Sequence, residues 1–478
     1  MAAPKRKPKA KEPARIPTVV DAMCDPDLFG PWYEGASWNG WKAVLRGAFA
    51  LEMSEEEKEF FRSVAERDPP SKPVKEIWIA AGRRSGKDSV ASEIAAHAAA
   101  TFDKQHLLRP GERALVLCLA TDREQAKICL NYIRAFFTTI PMLKSMVTRE
   151  TADGFELNNG VDVQVATASY KAVRGRALAM VVLDEIAFFS SEHSANPDLE
   201  IYRALLPGLA TLNGTLIAIS SPYRRAGILY SKFKQYFGQD SDDVLFIKAA
   251  TRTLNPLIDQ SVIDQAMAED AASASAEWMG EFRSDISGWL SLEVVEAAVD
   301  VDVTVRPPHT INNSYVGFTD SSGGVKDSFT LAIAHDEAGI SVLDCVVEIK
   351  APFSPSEAVS QIAAVLKSYG LSEVHGDRYA AGFTVDSFAA NGISYKHSER
   401  DRSTIYTDAL PMFSSGRVRL LDSPRLVSQL ASLERKTSPG GRDRVDHPRG
   451  QKDDLANSAC GALVLATTKT KYRGLLFA

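Results

Sequence analysis

The stretch Ala80–Ser89, AAGRRSGKDS, decides the fold. It takes over from the apolar run VKEIWIA and leads into the alanine-rich VASEIAAHAAA, so it marks the place where a strand turns into a helix. Its letters approximate a phosphate-binding loop, in which Gly is followed by four residues and then by Gly-Lys-Ser/Thr. Two positions depart from that pattern: Ala81 stands at the first glycine and Asp88 at the hydroxyl residue. Lys87 is placed to reach the β- and γ-phosphates, and Gly82 and Gly86 let the backbone approach them. The helix beginning near Lys87 offers free N–H groups and a positive dipole end to an anion. Arg83, Arg84 and Ser85 complete the loop. The metal-holding position falls to the carboxylate of Asp88 or to the hydroxyl of Ser89.

Around this loop, apolar runs alternate with helical ones. KEIWIAA, RALVLCLAT, VDVQVATAS, LAMVVLDEI, GTLIAISS and DDVLFIKAA are nearly continuous in apolar residues, as strands buried on both faces must be, and predict a mostly parallel α/β sheet. One of them ends in Asp184-Glu185. A rigid strand delivering two acids to the phosphate end of a parallel sheet suits ATP hydrolysis: Asp184 for the Mg²⁺ shell, Glu185 to orient or deprotonate the attacking water. GTLIAIS runs into Ser220-Ser221, hydroxyls at a strand end where they would sense the γ-phosphate.

A different constellation occupies the second half. Three strand-like runs, SYVGFTD, SFTLAIAHD and ISVLDCVVEI, are followed by a helix, a further strand and later helices, the order of an RNase H-like nuclease. Asp320 ends the first of these strands, Asp377 ends EVHGD, and Asp453-Asp454 open the helix DDLANSACGALVLATT. Acids from two strand ends and one helix start can converge on two divalent metals, Mg²⁺ or Mn²⁺. The expected organisation is a disordered basic tail over 1–20, a P-loop ATPase domain over 21–251, a linker over 252–300 and a nuclease domain over 301–478.

Composition bounds the rest. With 478 residues, 45% of them apolar and 24% charged, the chain has room for two or three domains with proper cores. No apolar run approaches the ~18 residues that span a bilayer. The start, MAAPKRKPKAKEPARIP, has no hydrophobic segment behind it and so is no signal peptide, which points to the cytoplasm. Cys24, Cys118, Cys129, Cys345 and Cys460 lack the paired spacing of a zinc site or a disulfide framework and read as reduced thiols. A net charge of −6 says nothing about local patches.

An ATPase followed by an RNase H-like nuclease on one chain resembles the large terminase subunit of tailed bacteriophages. The resemblance spans roughly residues 70–470 and rests on GRRSGKD, TASYKAVRGRALAMVVLDEIAFF, LIAISSP, NPLIDQ, EWMGEF and KDDLANS. It implies that Lys87 contacts phosphate, that Asp184 and Glu185 serve Mg²⁺ and water, and that Ser220-Ser221 couple hydrolysis to movement. By the same resemblance, Arg174 reaches a neighbouring subunit's nucleotide. Asp320, Asp377 and Asp454 match the nuclease metal ligands, with Asp453 auxiliary. The implied partners are double-stranded DNA, a portal protein, a small terminase subunit and further copies in a ring of five, in the host-cell cytoplasm and away from membranes. The chain departs from the family in two further places. SWNGWKAVL lies where an adenine-reading glutamine is expected yet contains none, and Lys452 stands where members often have histidine, His447 being nearby. A helicase or remodeller with an inactive second domain, and a nuclease with a degenerate nucleotide module, remain open at this point.

Overall fold

The structure, a computed structural model, describes residues 16–168, 175–189, 191, 194, 196–309, 314–377, 382–437, 443–448 and 450–476. The basic segment 1–15 and Arg174 lie outside the described residues. The chain forms two compact units, one of Met1–Phe189 with Pro197–Arg283, the other of Ser190–Asn196 with Ser284–Ala478. Residues 252–283 thus belong to the first unit and 284–300 to the second. No helix among the described residues is long and apolar enough to cross a membrane. Cys118, Cys129, Cys345 and Cys460 are buried free thiols, and Cys24 is an exposed one.

The first unit is built on eight strands: β1 (Glu76–Ala81), β2 (Ala114–Ala120), β3 (Val147–Thr151), β4 (Gly154–Leu157), β5 (Val161–Thr167), β6 (Leu178–Asp184), β7 (Thr215–Ser220) and β8 (Val244–Ala249). Their order is β3-β4-β5-β2-β6-β7-β1-β8. The six from β5 to β8 are parallel, and these are the six apolar runs of the sequence. β2 is buried at every residue, as a strand covered on both faces must be. The antiparallel hairpin β3-β4 at the edge is the part that periodicity does not announce. VTRET is polar and mostly exposed, and an edge strand with charged side chains carries little apolar signal. One face of the sheet packs on the helices Lys87–Ala100 and Arg123–Thr139 around Ile94, Ile133 and Phe137. The other is covered by Pro197–Leu212 and Gly227–Tyr236 through Leu205 and Leu229.

The second unit carries β9 (Ile286–Gly288), β10 (Val316–Asp320), β11 (Phe329–Glu337), β12 (Ile340–Ile349), β13 (Glu373–Gly376), β14 (Ser394–His397), β15 (Val418–Arg419), β16 (Glu434–Thr437) and β17 (Asp443–Asp446). The main sheet runs β14-β13-β10-β11-β12-β15. β10, β11 and β12 form an antiparallel meander, and β13 returns parallel to β10 after the helix Pro355–Ser368. The helix Asp454–Leu476 packs its Ala456, Cys460 and Leu463 into the core that Phe318 and Leu343 provide. Three strands, a helix, a parallel strand and a closing helix on the first strand make an RNase H-like domain. Strands β14 and β15, and the small sheet β17-β16-β9, are too short to stand out in the sequence.

Candidate active sites

The loop after β1 is held by side chains that the motif does not contain. Thr251 Oγ1 donates to the carbonyl of Arg83 at 2.8 Å, Asn255 Nδ2 to that of Arg84 at 2.7 Å, and Trp41 Nε1 to that of Ser85 at 2.8 Å. With three successive carbonyls bound by these donors, the N–H groups that open the helix Lys87–Ala100 remain for an anion. Ala81 is the last residue of β1 and needs no left-handed backbone, so its methyl group replaces glycine without strain. Gly86 does need it: φ is +91°, and a Cβ there would lie 3.0 Å from the ring of Trp38. SWNGWKAVL thus lies on the loop, with Trp41 as a loop-holding residue.

Lys87, only 4% exposed, points its ammonium at the acids that end β6. Nζ lies 3.0 Å from Glu185 Oε1 and 3.8 Å from Asp88 Oδ1. Burial works against that charge, but the carboxylates of Glu185, Asp88 and Asp184 outweigh it and hold the amine above its ordinary range. Glu185 sits in a left-handed conformation, φ +55°, which turns its side chain back over the sheet edge. There Oε2 accepts from Ser220 Oγ at 2.9 Å and from the Ser221 N–H at 3.1 Å. The two serines at the end of β7 therefore hold the glutamate.

Asp88, Asp184 and Glu185 each bring an oxygen to within 4.8 Å of the others. Burial, and then the charges of Asp88 and Glu185, push the Asp184 carboxyl up to about 7. Burial likewise raises Asp88, with Lys87 opposing. Asp184 Oδ2 accepts from Gln125 Nε2 at 3.0 Å, while its Oδ1 has no hydrogen-bond partner among the described residues, and the same holds for buried oxygens of Asp88, Ser85 and Ser221. Carboxylate and hydroxyl oxygens without hydrogen bonds, beside the N-terminus of the helix Lys87–Ala100, fit a nucleotide with a divalent cation. Asp88 rather than Ser89 faces this place, because the Ser89 hydroxyl pairs with Tyr33 Oη at 3.1 Å. Gln125 has a sequence signal of its own. Asp122 caps the helix after β2, and the first turn of such a helix lies at the phosphate end of the sheet.

In the second unit, pairing of Thr319 with Gly376 puts Asp320, the last residue of β10, beside Asp377, just past the end of β13. Asp454, in the first turn of the closing helix, accepts the Ser328 N–H on Oδ2 at 3.1 Å. Asp320 Oδ2 accepts from Asn457 Nδ2 at 2.7 Å. Desolvation, opposed by that hydrogen bond and reinforced by Asp454, Asp453 and Asp377, pushes the Asp320 carboxyl up to about 7. Burial raises Asp454 as well. The charges of Asp454 and Asp377 thus oppose ionisation of Asp320, and a divalent cation among the three would relieve that. Asp453 differs in its bonding: it is 1% exposed, with Oδ1 on Arg402 Nη1 at 2.9 Å and Oδ2 on Tyr406 Oη at 2.8 Å. His447 Nδ1 meets the Pro448 carbonyl at 2.9 Å, with Nε2 3.9 Å from Asp453. Lys452 pairs with Asp327 at 3.3 Å. Asn457, Arg402 and Tyr406 escaped sequence reasoning because amides, arginines and tyrosines on helices carry no spacing signal.

A family model described as the N-terminal P-loop domain of the uncharacterized protein MJ0330 matches residues 50–279. No curated protein matches the chain in sequence. Among solved structures, the HK97 bacteriophage large terminase is 16% identical, with 90% of this chain and 100% of that chain covered at a TM-score of 0.37. The large terminase of a thermophilic bacteriophage is 12% identical over 91% of this chain and 99% of that one, at a TM-score of 0.39. The large terminase nuclease of thermophilic phage G20c is 14% identical over 37% of this chain and 97% of that one, at 0.32. Residues 50–279 form a P-loop domain.

Proposed function

We propose that this chain is a DNA-packaging terminase large subunit, which hydrolyses ATP to move double-stranded DNA into a procapsid and cuts concatemeric DNA. The observation that carries the reading is the occurrence, on one chain, of a P-loop lysine paired with a serine-held glutamate and of aspartates at two adjacent strand ends of an RNase H-like sheet and at the start of its closing helix. In the first unit Lys87 brings positive charge to the phosphates, on which charge develops during transfer. Binding of phosphate draws Lys87 off Glu185, and the freed Oε1 then takes the proton of the attacking water while Ser220 and Ser221 keep Oε2 fixed. Because Ser220 ends β7 and Ser221 follows it, a shift of Glu185 is passed to the end of that strand. In the second unit Asp320, Asp377 and Asp454 bind and orient, and Ser328 and Asn457 keep two of them in place. Divalent ions, Mg²⁺ or Mn²⁺, when bound neutralise phosphate charge at the first site and, at the second, lower the pKa of water and stabilise the leaving oxygen.

The same reading gives Arg174 a role on the nucleotide of a neighbouring copy in a ring of five. It also gives the chain a portal protein and a small terminase subunit as partners in the host-cell cytoplasm. The test is a pair of assays on the full chain: ATP hydrolysis with and without double-stranded DNA, and nicking of supercoiled plasmid in Mg²⁺ and Mn²⁺. DNA-stimulated hydrolysis together with metal-dependent nicking is expected. Hydrolysis without nicking would favour a helicase or remodeller, and nicking without hydrolysis a nuclease with an idle nucleotide module.

A further inference from the structure

Asn457 lies one turn into the closing helix, 2% exposed, with its side chain against Asp320. The amide nitrogen of Asn457 donates to Asp320 Oδ2 at 2.7 Å, so the amide oxygen faces elsewhere. That oxygen, Oδ1, is buried and has no partner among the described residues. A buried, unpaired acceptor beside an acidic cluster calls for a water or an ion to complete it. Asp453, by contrast, has both oxygens engaged by Arg402 and Tyr406.

We infer that Asn457, and not Asp453, completes the cation-holding set with Asp320, Asp377 and Asp454, as a positioning residue that fixes Asp320 through Nδ2 and offers Oδ1 to the hydration shell of the ion. The neighbouring geometry agrees. Asn457 is three residues after Asp454 on the same helix, which places the two on one face. That face meets β10, whose last residue is Asp320. Asp453 has another task, tying the start of the helix Asp454–Leu476 to the helix Arg402–Ser414. The inference rests on the nuclease reading and refines it.

Mn²⁺ binding to the full-length protein, measured by titration calorimetry and by electron paramagnetic resonance, tests it without recourse to activity. All proteins carry Asp184→Asn, to weaken the carboxylate cluster of the P-loop unit. Asn457→Leu and Asn457→Ala are expected to weaken Mn²⁺ binding by about tenfold or more, as loss of a partner that orients a metal ligand does, while Asp453→Asn shifts it by less than about threefold. Asn457→Ser, which keeps a hydroxyl, is expected to fall between them and serves as the reading if the larger changes prevent folding. Asn457 variants that fold and bind Mn²⁺ as the parent does, with only a lowered melting temperature, would overturn the inference and leave Asn457 with a buried structural water. Asp453→Asn losing as much affinity as Asn457→Ala would overturn it too. Asp320→Asn in the same background separates the two levels: if it leaves Mn²⁺ binding intact, the nuclease reading itself fails. If it abolishes binding while the Asn457 variants bind normally, only the present inference does.

Discussion

Lys87 is the residue on which the first site turns, since it is the buried cation among Asp88, Asp184 and Glu185. We predict that Lys87→Ala lowers ATP hydrolysis by about 10²–10³-fold or more, the scale set by removing one preorganised charge from a transition state. Hydrolysis at the parental rate by a folded Lys87→Ala protein would remove the loop from the chemistry. Asp88 makes a finer prediction. Its charge is one of the causes that hold Asp184 near 7, after burial. Asp184 is therefore protonated below that pH and ionised above it, and hydrolysis should decline as the pH falls through about 7. Asp88→Ser takes one negative neighbour away and lowers the Asp184 pKa. Hydrolysis should be retained, with the acid limb of its pH profile moved to lower pH; an unmoved limb would show that Asp184 does not set it.

At the scale of elements, what the sequence discloses follows from what physics repeats. Six parallel strands were legible because burial on both faces demands continuous apolar runs, and Asp184, Asp320 and Asp377 because each stands at or just past the end of such a run. The stretch 252–283 falls within the expected linker 252–300, because polar helical sequence gives no sign of what it touches. Its Asn255 and Glu277, with Thr251 just before it, bind the loop after β1. The helix Lys87–Ala100 hides another such fact. Glu93 is 0% exposed and neither carboxylate oxygen has a hydrogen-bond partner among the described residues, so burial raises its pKa well above 4.5. A carboxyl whose folded pKa is raised binds its proton more tightly in the fold than in the unfolded chain. Its stability is intact below 4.5 and is lost as the pH rises from there towards the folded value. Glu93→Gln, which needs no proton, should thus stabilise the protein at pH 8 and do so less at pH 5.5. The advantage should grow by up to about 1.4 kcal/mol per pH unit while Glu93 stays protonated in the fold. A difference in thermal melting that does not change with pH would contradict this.

Taken whole, the molecule holds two acidic sites in two compact units, each assembled by its own strands and helices. Arg174 offers a test of assembly: in rings mixed from Arg174→Ala and Lys87→Ala subunits, some interfaces pair an intact loop with an intact arginine, and hydrolysis should partly return. No return in mixed rings shown to form would place Arg174 outside a neighbour's chemistry. The central claim, two engines on one chain, is tested most directly by measuring ATP hydrolysis and plasmid nicking side by side on Lys87→Ala and Asp320→Asn. Asp320→Asn keeps size and removes charge, so nicking in Mg²⁺ and Mn²⁺ should fall by orders of magnitude while ATP hydrolysis stays near the parental rate. Lys87→Ala should do the reverse. Nicking by Asp320→Asn at the parental rate in both metals would contradict the account.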